Sequence, residues 1–194
     1  MNNSKANAAD ASNASVLKNG GHQENAELHG IYFVECRDKN GKLKWKDVVK
    51  NLVTTVGKNL ALDTFLAGAA YTVTGPFMGL ISSVGYSTIV AGDTMASHAG
   101  WTEAGAANPP TYTAPRKTCA WSAAAAGSKA LSAALSFAIT GTGTVKGLFI
   151  VFGAGAISTV DSTAGTLYSA GLFTGGDKVL ANTDTLNVTY SASL

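Results

Sequence analysis

Over residues 185–194 apolar and polar side chains take strict turns: Leu186, Val188, Tyr190, Ala192 and Leu194 against Thr185, Asn187, Thr189, Ser191 and Ser193. A period of two puts one set on each face of an extended strand, so this stretch reads as a half-buried β-strand running to the last residue. A second alternating run holds Leu131, Ala133, Leu135, Phe137 and Ile139. Gly141-Thr142-Gly143 then turns the chain into residues 145–152, a run apolar enough to be buried on both faces. Nearer the start, Ile31, Tyr32, Phe33 and Val34 form a strand, and Asp38-Lys39-Asn40-Gly41 carries the Asn-Gly signal of a tight hairpin. Leu43 and Trp45 alternate with Lys44 and Lys46 on the returning strand.

One segment breaks this period. Thr54 or Thr55 caps a helix in which Val56, Leu60, Ala61, Leu62, Phe65 and Leu66 recur at helical spacing, ended by Gly68. The stripe is read as a helix plugging one end of a β core, in preference to a partner-binding helix. Short strands, Gly-rich turns and a single helix predict a mainly β fold, a β-sandwich or jelly-roll-like domain with one short α-helix and an extended N-terminal arm. The arm is residues 1–26, made of Asn, Ala, Ser, Lys and Gly with Val16 and Leu17 its main apolar content. So little burial does not offset the entropy of ordering, so the arm is expected to be flexible alone and to serve as an anchoring strap through Val16, Leu17 and Lys18. Residues 27–194 are expected to form a single β-rich domain, and 194 residues suit that size.

Charge is scarce and unevenly placed. Charged residues make up 13% of the chain, against about 25% in ordinary soluble domains. Residues 1–58 hold nine Lys/Arg and six acids, while the remaining 136 hold five and six. A net charge of +2 is too small to draw nucleic acid or an anionic membrane. A long neutral surface of hydroxyls and small residues points instead to packing against neighbours, the alternative being a small-residue β surface kept soluble by Thr and Ser. The uncharged stretch between Asp63 and Asp93 holds Gly75-Pro76, further glycines and many Thr and Ser, so it does not read as a membrane span. No basic stretch followed by an apolar one opens the chain; no secretory signal is read, and Cys36 and Cys119 are expected as free thiols.

No constellation of catalytic residues stands out. His22, His29 and His98 are scattered, the cysteines are far apart, and metal ligation needs several such groups at suitable spacing. Asp93, Ser97 and His98 lie too close in sequence for a Ser-His-Asp triad, and His98 reads as a capping or packing residue. Gly141-Thr142-Gly143 lacks the lysine and third glycine of a phosphate loop. Asp63, Asp93, Glu103, Asp161, Asp177 and Asp184 sit where carboxylates have ordinary uses at turns and helix ends. Trp45, Trp101, Trp121, Tyr71, Tyr86 and Tyr112 could stack on sugars, but packing is the favoured reading. The expectation is no catalytic residue, no metal and no cofactor.

The order Asn51-Leu52-Val53-Thr54-Thr55-Val56-Gly57, then Met78-Gly79-Leu80-Ile81, then Thr94-Met95-Ala96-Ser97-His98-Ala99-Gly100-Trp101-Thr102-Glu103, resembles small structural proteins of tailed bacteriophages. Tyr112 with Pro115-Arg116, Gly165-Thr166-Leu167-Tyr168 and Asp184-Thr185-Leu186-Asn187 complete the resemblance, which covers about residues 30–194. It implies a virion protein assembled in the bacterial cytoplasm, with no catalytic residues. Two placements follow. A head decoration or cement protein would bind across major capsid proteins and copies of itself, as a homo-oligomer (dimer or trimer), without nucleic acid or membrane. A tail-fibre or receptor-binding module would present aromatic loops around Trp101 and Tyr112 to host glycans. The short domain and its arm favour decoration, with Val16, Leu17, Lys18, Trp101 and Tyr112 as candidate partner-binding residues.

Overall fold

The computed structural model describes residues 28–66 and 74–193; Val16, Leu17, Lys18, Gly68, Tyr71 and Leu194 lie outside the described residues. Strands β1 (His29–Arg37) and β2 (Leu43–Val53) form the expected hairpin. Asp38 Oδ1 accepts the backbone N–H groups of Asn40 and Lys42, each at 2.9 Å, and Gly41 takes the positive φ (77°) that the turn requires. Helix α1 (Thr55–Leu66) follows, and Thr54 is its cap: Oγ1 accepts the Gly57 N–H at 3.1 Å and donates to the Leu167 carbonyl. Next come β3 (Phe77–Ser82) and four short strands, β4 (Glu103–Ala104), β5 (Thr111–Tyr112), β6 (Lys117–Thr118) and β7 (Ser128–Ala130). The chain ends with β8 (Leu135–Gly141), β9 (Gly143–Phe152), β10 (Thr166–Phe173), β11 (Lys178–Leu180) and β12 (Thr185–Ser193).

The strand pairings are antiparallel and follow one path, β4-β3-β9-β10-β2-β1-β12-β8-β5, with β11 on β9, β6 on β3 and β7 on β12. Strands β8 and β9 are far apart on that path yet are joined through the single residue Thr142. The sheet therefore curls until its ends approach, giving a mainly β, nearly closed antiparallel structure with one helix. Strand β6, paired with β3 near one end, packs on β8 near the other.

Two cores result. Inside the curl lie Tyr32, Val34, Val49, Leu80, Phe137, Leu148, Ile150, Leu186, Val188 and Tyr190. On the outer face of β3, β9 and β10, the connection between β3 and β4 lays Met95 and Trp101 over Ile81, Phe149, Val151, Leu167 and Ala170. Strand β9 is thus covered on both faces, as its unbroken apolar run predicts.

Two expectations need correction. The alternating run from Leu131 becomes a strand only at Leu135, because the Leu131 and Ser132 N–H groups bond Tyr190 and Ala120 carbonyls instead of extending the ladder from β8. The helix does not plug the core with its apolar stripe: only Gly57 and Leu60 are buried, and Leu62, Phe65 and Leu66 are 56%, 83% and 70% exposed. Gly57 lies so close to the Tyr168 backbone that a Cβ there would overlap its carbonyl. The helix thus rests on β10 backbone-first, and Leu62, Phe65 and Leu66 point away.

Candidate interaction surface

The residues singled out for chemistry are used in packing. His98 stacks on Trp101 with ring centroids 3.9 Å apart, and its Nδ1 lies 3.0 Å from the Trp101 carbonyl oxygen. Asp93 accepts the Trp101 indole N–H at 3.1 Å and the Val90 N–H at 3.0 Å, while the Ser97 N–H goes to Thr94 Oγ1. No catalytic triad geometry joins Asp93, Ser97 and His98. Among the described residues no group of three or more His, Cys, Asp or Glu could hold a metal ion.

Trp101 and Tyr112, candidates for contacting a partner, are 2% and 3% exposed. Trp101 meets Phe149 at 5.2 Å between ring centroids, and Tyr112 sits edge-on to Phe137 at 5.0 Å. As a correction to their candidacy, neither ring forms a surface feature, because Trp101 is packed into the outer core and Tyr112 into the inner one.

The acids have structural partners. Glu103 and Arg116 form a buried bidentate ion pair, Nε to Oε1 at 2.8 Å and Nη2 to Oε2 at 2.6 Å. Arg116 also donates to the carbonyls of Ser162 and Ile157, and Glu103 Oε2 accepts the Asp161 N–H at 2.8 Å. Burial pushes the Glu103 carboxyl above its ordinary value, and the guanidinium beside it pulls the other way. One ion pair thus clamps the segment around β4 to the connection between β9 and β10. Sequence reasoning named Glu103 only as a turn acid; the signal was there in Arg116, an arginine in a nearly uncharged half of the chain.

Asp184 receives Lys44 at 2.5 Å and the Ala181 N–H at 2.8 Å, and Asp47 receives Lys178 at 2.7 Å and Thr174 at 2.8 Å. Burial opposes ionisation of both, but these donors outweigh it and hold both carboxyls below the usual range. Lowered acids contribute stability that is present above their unfolded values, near pH 4, and lost as pH falls through the folded values. Melting temperature should therefore decline below about pH 4, and Asp184→Asn should flatten that decline while lowering the melting temperature at neutral pH. Thermal melts across pH 2–7 check this; an equally steep acid limb in Asp184→Asn would remove Asp184 from the account.

The thiols of Cys36 and Cys119 are free and buried, and burial pushes each up to about 12. Both are inert core groups near neutral pH.

What the surface offers is apolar. At one end of the curled sheet a cleft of about 450 Å³ opens between the start of β1, helix α1 and the segment around β7. Leu28, Trp121, Phe152, Tyr168 and Tyr190 line it. Gly30 makes room for the Tyr190 ring, since a Cβ at that position would overlap its hydroxyl. Tyr190 Oη accepts from Asn51 Nδ2 at 3.0 Å, and Trp121 stands edge-on to the Tyr190 ring at 5.7 Å. Burial holds the Tyr190 and Tyr168 hydroxyls above their ordinary range, Tyr168 up to about 12, so both stay neutral. Such a site presents ring faces and aliphatic edges, suited to apolar side chains.

Ala61 lines the cleft, and Phe65 follows it one helical turn later on the same face. The exposed Leu62, Phe65 and Leu66 thus extend the apolar surface from the cleft along the helix. A second groove of about 500 Å³ lies over the outer face of β1, β2 and β12, lined by Phe33, Val48 and Thr189. The helical face was visible in the sequence as a stripe, but its direction was not. The cleft was invisible there, because Leu28, Trp121 and Tyr190 are far apart in the chain.

Val16, Leu17 and Lys18 fall outside the described residues. No helix among the described residues is long and apolar enough to cross a membrane. Compared with known proteins, the chain matches no family model, no curated protein and no solved structure.

Proposed function

We propose that this protein is a bacteriophage virion structural protein, a capsid decoration or cement protein that binds across major capsid proteins and stabilises the head. The observation that carries the reading is the outward-facing apolar side of α1, with Leu62, Phe65 and Leu66 exposed beside an apolar cleft. Exposed apolar surface of this kind marks a face that a neighbour covers. The resemblance of the Thr94–Glu103 run and its companions to phage structural proteins points to a neighbour within the virion, and the short domain with its N-terminal arm favours the shell. Repetition around a shell turns weak contacts into avidity. An exposed aromatic cleft around Trp101 and Tyr112 would favour the tail-fibre reading, and both rings are interior.

The test is fractionation of purified virions with the protein counted by quantitative mass spectrometry. Hundreds of copies travelling with heads are expected; a handful travelling with tails would reverse the assignment. Changing Leu62, Phe65 and Leu66 together to Ser removes about 1.5–3 kcal/mol of burial per side chain, so occupancy on heads should fall at least about tenfold. The melting temperature should hold, because none of the three is buried in the monomer. Unchanged occupancy would show that the helix does not face the shell.

A further inference from the structure

We propose that the apolar cleft is the seat of this chain's own N-terminal arm, with Val16 and Leu17 as the side chains that fill it. The inference is independent of the virion reading and applies to the isolated chain. Its first support is where the described chain starts: Leu28 itself lines the cleft. The second is composition. Apart from Met1, Val16 and Leu17 are the only large apolar side chains before Leu28. The cleft in turn is walled by Trp121, Phe152, Tyr168 and Tyr190, and among the described residues that line it the one charged side chain is Lys129.

Reach and tethering decide between this arm and a copy's. Ten residues separate Leu17 from Leu28, an extended span of about 33–36 Å. Gly20-Gly21 lies within that stretch and can reverse the chain. Glu24 and Glu27 lie in the same stretch, opposite in sign to Lys129. A segment tethered this closely is present at an effective concentration of roughly millimolar, well above that of a second copy in dilute solution.

The experiment uses the full chain carrying Ser15→Cys with a nitroxide on the new thiol; Cys36 and Cys119 are buried and escape the label. Nitrogen-15 spectra report the three tryptophan indole N–H signals. Docking in the chain's own cleft should cost the Trp121 signal more than half its intensity, a larger share than the Trp45 or Trp101 signal loses. The loss should persist when labelled chains are diluted into an excess of unlabelled ones. Adding Val16→Asp and Leu17→Asp should restore the signal, and neither change touches the described core. A sharp Trp121 signal in the parent chain overturns the proposal. Broadening that arises only when nitroxide chains are mixed with separate nitrogen-15 chains also overturns it, and assigns the cleft to a second copy's arm.

Discussion

Replacing Arg116 with Met should cost about 3–5 kcal/mol, because it strands a buried carboxylate. Arg116 is fully buried and gives Glu103 two hydrogen bonds, and it also satisfies the Ser162 and Ile157 carbonyls. Left alone, Glu103 would take up a proton more readily than in an unfolded chain. A raised acid favours the folded state at low pH and loses that advantage as pH rises. The penalty in Arg116→Met should therefore be greatest at neutral pH and smaller near pH 5, the reverse of the acid limb set by Asp47 and Asp184. The double change Glu103→Leu with Arg116→Met should recover only part of the loss, since the Asp161 N–H and the two carbonyls remain without partners. Urea unfolding at pH 5 and pH 7 reads all of this. A loss under about 1 kcal/mol in the single variant would place the clamp elsewhere.

Trp101→Ala should cost about 3–5 kcal/mol by a different route, through the cavity left where the ring lies between His98 and Phe149. The outer core consists of few residues, and Trp101 is the largest of them. Asp93 also loses its indole donor. The connection between β3 and β4 should then detach from the sheet while the inner core stays folded. Limited proteolysis should find new cuts over residues 84–100 before the global unfolding transition, which denaturation followed by far-UV circular dichroism would report separately. Resistance of that segment equal to the parent chain's would show that Met95, Tyr86 and Ile89 hold it without the tryptophan.

These two positions show how far local pattern reaches. Trp101 lies in the run that carries the phage resemblance, and packing was its favoured reading, yet nothing in the run told that it would cover the outer face of β9. Glu103 and Arg116 are 13 residues apart, and no periodicity links them. Their pairing depends on β4 and β6 both lying against β3. In the same way the stripe of α1 was legible as helical, but the close approach of Gly57 to Tyr168 turned it outward.

Alternation and turn chemistry in the sequence alone determined the strands β1, β2, β9 and β12, the Asn-Gly hairpin, a helix cap at Thr54 or Thr55 and the mainly β class. Each of these is decided by the geometry of neighbouring residues, which a sequence states directly. The order of strands, the near closure of the sheet, the buried Glu103–Arg116 clamp and the apolar cleft were decided only in the tertiary structure. They join residues distant in the chain, and which distant surfaces meet depends on how the whole sheet twists and curls to bury its inner face.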